Sequence, residues 1–302
     1  MLPRLRRALD GLLWLARPTG LRKSLAQLEE RLLQMDARLR ETEARVNTLV
    51  SSTNVPVPVH GHYLYLDRHD TLALALHHTH EPFQTRLVEE LVRPGDVVVD
   101  AGAHIGYYTL LCARRAGPNG RVLAFEPSPH AHVLLRRNVM ANGYANVDVH
   151  EAALHRARAR LAFHTCEDGL AGGSVHDPGG GWHWQRLEVD AVALDDVIPP
   201  GGRVDFVKMD IQGAEGAALE GMQRCLSDNP SAQLLLEVWP RGLLACGTPA
   251  AALLSRLEAQ GYSLSEVREE ESRVVPTSAA EVVRSFPDDG WSHTNVLARR
   301  AC

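Results

Sequence analysis

The stretch Asp96-Val97-Val98-Val99-Asp100-Ala101-Gly102-Ala103-His104-Ile105-Gly106-Tyr107-Tyr108-Thr109 decides the fold. Val97 to Val99 is a short β-branched apolar run, as a strand buried on both faces of a parallel sheet requires. Asp100 ends the run, and Gly102 and Gly106 bracket a tight turn. Gly102 has no Cβ to hold a ligand off the backbone, and Gly106 suits close packing of helix on strand. Ile105, Tyr108, Leu111 and Cys112 then fall on one helical face. Ligands of open α/β sheets bind beyond the carboxyl ends of such strands, so this turn is the expected ligand site.

Spacing narrows the ligand. A dinucleotide fingerprint, Gly-x-Gly-x-x-Gly, aims a helix N-terminus at a pyrophosphate. Here the order is Asp-x-Gly-x-x-x-Gly, with His104 in the middle. An acid just ahead of the turn repels phosphate and suits a cationic or hydroxyl-bearing ligand. S-adenosylmethionine, with its amine and sulfonium, is one. The same turn also occurs in α/β domains without a nucleoside, so taken alone it leaves both readings open. The next strand, Arg121 to Phe125, ends in Glu126. That acid lies about twenty residues past the glycines, where a carboxylate grips ribose hydroxyls. Ser128-Pro129 then opens a helix.

The blocks 95–109, Ala124-Phe125-Glu126-Pro127 and Val207-Lys208-Met209-Asp210-Ile211-Gln212-Gly213-Ala214-Glu215 together resemble the FkbM family of S-adenosylmethionine-dependent methyltransferases, over residues 80–298. Two positions depart from the family's commonest pattern: His104 stands where Asn is usual, and Gln212 where Glu is usual. The resemblance implies a Rossmann-like α/β fold. Its class I methyltransferase sheet has seven strands, with helices on both faces and an antiparallel hairpin made by the last two strands. It also implies S-adenosylmethionine as cofactor and O-methyl transfer to a small-molecule or glycan hydroxyl.

The expected cofactor set is Glu81, Asp100, Gly102, His104, Gly106, Glu126, Ser128, Glu151, Ala152 and Asp210. A hydroxyl acceptor sheds a proton, so a base within hydrogen-bond reach helps. Asp210 is the first choice, with Glu237 and His293 beside it. Gln212 cannot act as a base and is given no catalytic work. Lys208 alternates away from its strand neighbours, so it is either structural or orients the acceptor. No metal-ligand set is evident. His77, His78 and His80 lack completing ligands, and their segment reads better as a lid over the turn. A glycine-rich loop, Gly169 to Gly181, followed by Trp182, His183 and Trp184, is the expected acceptor surface.

Net charge is −5 over 302 residues, which disfavours a nucleic-acid binder. The charge is uneven: residues 1–40 hold nine basic residues and four acids. Residues 2–16 read as a basic amphipathic helix suited to an anionic membrane surface or to packing on protein. Residues 21–49 carry Leu21, Leu25, Leu28, Leu32, Met35, Leu39, Thr42, Val46 and Leu49 at alternating steps of four and three, a coiled-coil pattern. In a parallel pair Arg31 meets Asp36 and Arg38 meets Glu43, which favours a homo-oligomer over a helix folded back on its own domain.

Domains are therefore expected at 1–50 and 63–302, joined by a proline-bearing linker over 51–62. Five scattered cysteines point to a reducing compartment, and no apolar run is long enough to span a membrane. A cytoplasmic enzyme is expected, with peripheral membrane contact through residues 2–16 as the alternative to their packing on protein. Its rivals are an NAD-dependent oxidoreductase, disfavoured by the glycine spacing; an RNA methyltransferase, disfavoured by charge; and a coiled-coil assembly protein whose methyltransferase-like domain is inactive.

Overall fold

The computed structural model describes residues 24, 26–35, 38, 42, 54–166, 173–175, 184–288 and 290–300. The predicted helix over 2–16, most of the heptad ladder, most of the Gly169–Gly181 loop, and Trp182 and His183 lie outside the described residues. Residues 26–35 are helical, with Leu28 and Met35 exposed.

Thirteen strands are described: β1 (Val57–Val59), β2 (His62–Leu64), β3 (Val97–Ala101), β4 (Arg121–Phe125), β5 (Val147–His150), β6 (Ala153–Leu154), β7 (Ala159–Cys166), β8 (Trp184–Val192), β9 (Phe206–Met209), β10 (Gln233–Val238), β11 (Tyr262–Arg268), β12 (Arg273–Thr277) and β13 (Thr294–Arg300). The main sheet runs β12-β11-β13-β10-β9-β3-β4-β5. Its β5-β4-β3-β9-β10 portion is parallel, and β13 lies antiparallel between β10 and β11. The order is the expected seven-stranded one with an eighth strand, β12, added at the edge. Pro276 sits in this edge strand, where a missing N–H costs no interior ladder bond.

The valine run behaves as its composition requires. Val99 packs with Leu123, Val207 and Leu234 on one face of the sheet. Val98 packs with Val122, Phe206 and Leu235 on the other. The chain crosses from one side of β3 to the other between β5 and β9. The carboxyl ends of β3, β4 and β9 therefore flank the switch point of the sheet, the usual crevice of such folds.

One expectation is corrected, and two further features shape the fold. The segment read as a linker contains β1, paired antiparallel with β2 through His60 and Gly61, both at positive φ. Two short helices follow β9, Glu215–Glu220 and Gln223–Asp228. They break where Gly221 presses its backbone against the His155 carbonyl. Strands β7 and β8 leave the main sheet and form a separate three-stranded sheet with β6.

Candidate active site

The turn after β3 builds one wall of a cleft of about 660 Å³, a size suited to a nucleoside cofactor. Gly102 adopts φ 77, and a Cβ there would run into the Asp210 carbonyl. Its glycine is therefore required by the close approach of the chain after β9, not only by a ligand. Gly106, at φ 98, opens helix Tyr107–Ala116 and abuts Leu135 beneath the cleft. Asp100 is fully buried below the turn. One of its oxygens accepts a hydrogen bond from the Thr109 hydroxyl at 2.6 Å and the other has no protein partner.

Glu126 is the centre of the cleft wall. Its two oxygens accept from the backbone N–H groups of His104 and Ser128, each at 2.8 Å. Burial pushes the carboxyl up to about 7, against the downward pull of those two amides. Its remaining lone pairs are available to the cleft. His104 stands at φ 49, half-buried in the cleft wall, with Nδ1 buried and without a hydrogen-bond partner in the protein, and burial lowers the pKa of its ring. An Asn would tolerate this left-handed backbone more easily than His. A ribose diol suits Glu126, and the orphaned His104 nitrogen suits a further polar group of the ligand. S-adenosylmethionine fits this donor and acceptor set.

Ser128 and Asp210 also line the cleft. Glu151 and Ala152 do not. Glu151 is half-exposed and pairs with His132 at 3.4 Å, while Ala153 supplies the apolar wall. Phe163 and Leu187, on the small sheet, also line the cleft. Of the glycine-rich loop, residues 173–175 are described, and the Ser174 hydroxyl donates to the Gln212 carbonyl at 3.1 Å.

Beyond Asp210 lies a second cluster, built where β9 and β10 end side by side. Lys208 is buried, 3.4 Å from Asp210, with its ammonium 4.7 Å from the centre of the Tyr108 ring. Burial works against its charge, but Asp210, Asp100, Glu81 and Glu237 outweigh burial and raise its pKa. Burial likewise opposes the charge on Asp210, yet Lys208 and the Gln212 amide hold its pKa below the ordinary value. Glu237 goes the other way: burial first, then the negative charge of Asp210, drives it well above the carboxylate range. The pair thus divides its roles as coupled carboxyls do, one ionised and one protonated.

Gln212 joins the two. Its side-chain amide donates to Asp210 at 2.9 Å and to Glu237 at 2.7 Å, from a backbone at φ 52. Sequence reasoning dismissed Gln212 because an amide is no base; its use is as a bridge between two acids. His293 is half-exposed, 3.8 Å from Glu237, so the expected catalytic trio does converge. Glu81 stands apart from the cleft wall. It accepts from the Tyr108 hydroxyl at 2.8 Å and from Gln84 at 2.5 Å, and it meets Asn295 at 3.5 Å. Of the three clustered histidines, His80 packs edge-on against Tyr107 and Tyr108, and His78 lies 3.0 Å from the Pro58 carbonyl. Among the described residues no group of His, Cys, Asp or Glu is arranged to hold a metal ion, and no helix is long and apolar enough to cross a membrane.

The methyltransferase FkbM domain profile matches residues 100–264, more than half of the chain. The chain belongs to the FkbM methyltransferase family. Its relatives include 31-O-demethyl-FK506 methyltransferase FkbM of Streptomyces tacrolimicus, 31% identical over 163 residues, covering 44% of this chain and 61% of the relative. Methyltransferase 1 of Beauveria bassiana is 29% identical over 145 residues, covering 41% and 57%. The chain thus spans about 60% of the length of these curated relatives. Among solved structures, a SAM-dependent methyltransferase from Aquifex aeolicus matches 73% of this chain and 92% of its own at 16% identity and a TM-score of 0.42, a likeness too loose to carry function. For a member of the FkbM family the cofactor to expect is S-adenosylmethionine. The cleft at Glu126 is the part of this FkbM domain whose chemistry fits that cofactor.

Proposed function

We propose that the protein transfers the methyl group of S-adenosylmethionine to a hydroxyl of a small molecule or glycan. The observation that carries this reading is the convergence of Asp210, Glu237 and His293 beside the cleft. The Gln212 amide donates to both Asp210 and Glu237, and His293 lies 3.8 Å from Glu237. A sulfonium methyl is already activated, so positioning supplies most of the rate and the protein need only receive a proton from the acceptor. In this reading Asp210 takes the hydroxyl proton, Glu237 and His293 orient the acceptor, and Glu126, Ser128 and the turn from Gly102 to Gly106 bind the cofactor. The test is transfer of labelled methyl from S-adenosylmethionine to candidate acceptors. An alkali-stable ether product supports the reading. An alkali-labile methyl ester, or label on nitrogen or carbon, sinks the hydroxyl assignment.

We also propose that residues 21–49 join two copies of the chain, leaving 63–302 as the catalytic unit. Leu28 and Met35 are exposed on a helical segment, which supports a partner for that face. Sedimentation equilibrium is expected to give a dimer. Leu28→Glu combined with Leu32→Glu is expected to give a monomer that still binds S-adenosylhomocysteine. A wild-type monomer at micromolar concentration would remove the coiled coil.

A further inference from the structure

The segment after β2 lies ahead of the family domain matched at 100–264, yet its Asp67, Arg68 and Thr71 line the same cleft as Gly102, Glu126 and Asp210. Asn138, fully buried on helix Pro129–Ala141, fastens this segment to the cofactor turn. Its Oδ1 accepts from the Tyr65 N–H at 2.7 Å. Its Nδ2 donates to the Tyr65 carbonyl at 3.0 Å and to the Ile105 carbonyl, between Gly102 and Gly106, at 2.8 Å. One buried amide with its bonds made thus holds both pieces of chain in register.

The loop that follows is fixed by its own acids. Asp67 Oδ1 accepts from the His69 N–H at 3.0 Å and from the Thr71 hydroxyl at 2.9 Å, and Oδ2 accepts from the Thr71 N–H at 3.1 Å. Asp70, buried at φ 48, accepts from the N–H groups of Leu74 and Ala75 at 2.8 and 2.7 Å. Aspartates that bond the backbone a few residues on define such turns. Both acids are therefore occupied by the loop itself. Arg68 beside them is exposed and has no ion pair or hydrogen bond among the described residues. It is also the one lysine or arginine among the described residues that line the cleft.

We infer that Arg68 takes the carboxylate of the methionine part of S-adenosylmethionine. This rests on the cofactor reading of the cleft. The cofactor brings two cations, a sulfonium and an ammonium, and a single anion. Glu126 and Asp210 suit hydroxyls and cations and would repel that anion. A guanidinium fork matches a carboxylate in shape as well as charge, and such charge-assisted pairs are stronger than neutral ones. Arg68 has nothing else to neutralise it and sits on a loop that is already ordered, so little freedom is lost when the ligand arrives. The segment ahead of the family domain thereby becomes part of the cofactor site, and it separates the whole cofactor from its nucleoside half.

The test is calorimetric titration of the full chain with S-adenosylhomocysteine and with its decarboxylated analogue, which keeps the adenosine, sulfur and amine and lacks only the carboxylate. The ratio of the two affinities is expected to fall about tenfold from wild type to Arg68→Gln, as for loss of a hydrogen bond between charged groups. Arg68→Lys is expected to lie between them, since it keeps the charge without the fork. Arg68→Gln is expected to bind the analogue within about twofold of wild type, as an exposed substitution that leaves the fold intact. A ratio unchanged in Arg68→Gln, whether both affinities hold or both fall together, overturns the assignment while the cofactor reading stands. Failure of the wild type to bind either ligand overturns both.

Discussion

Glu126→Gln is expected to weaken S-adenosylhomocysteine binding at least tenfold, about 1.4 kcal/mol, and to change its pH dependence. In the wild type the ribose hydroxyls donate to an ionised carboxylate. The free carboxyl sits at about 7, so binding near neutrality expels a proton and weakens as pH falls below 7. Calorimetry in buffers of different ionisation heat reads that proton directly, and the variant should release none. Stability carries the same signature with a defined sign. The folded-state pKa of about 7 lies above the ordinary value of 4.5, so the folded protein binds more protons between those limits. Glu126 therefore makes the ligand-free protein less stable as pH rises through that window, and Glu126→Gln flattens this part of the melting profile. A Kd unchanged by the substitution would place the cofactor elsewhere.

Asp210→Asn is expected to lower kcat by about 10² to 10⁴, the range supplied by a positioned base, with S-adenosylhomocysteine affinity changed only severalfold. Asn keeps the shape and can still accept from Gln212, but it cannot take a proton. The assay is single-turnover methyl transfer with an acceptor found in the labelled-methyl screen. If the variant instead raises the cofactor Kd and leaves kcat intact at saturation, Asp210 holds the cofactor and the base lies elsewhere. Lys208 sits 3.4 Å from Asp210 with Asp100, Glu81 and Glu237 also acting on its charge, so the loss is not additive with changes at Lys208.

The cleft was legible where one segment of chain carries its own instruction. A β-branched run must be buried on both faces, an acid at its end marks the sheet's mouth, and a glycine turn follows. Glu126 was legible for the same reason, being fixed by strand length and by the turn before it. Asp210, Glu237 and His293 of the second cluster were legible as residues at strand ends, but the contacts that tie the cluster together were not, because those partners are far apart in sequence. Gln212 reaches Glu237, 25 residues on, and Glu81 meets Asn295, 214 residues on. Nothing local distinguishes a bridging glutamine from a solvent-facing one. The edge strand β12 was missed because charges and a proline hide its alternation. Glu151 was placed in the cofactor set by its position at a strand end, yet β5 stops at His150 and the chain turns the Glu151 side chain outward onto His132.

The place of β13 has a consequence for synthesis. Until residues 294–300 leave the ribosome, β10 and β11 have no strand between them, and each offers a row of unpaired backbone groups. The parallel half of the sheet, by contrast, has all its strands once β10 is made. The nascent chain therefore passes through a stage with a formed cofactor crevice and an open hydrophobic seam, the condition under which chaperones are recruited and edge-to-edge association begins.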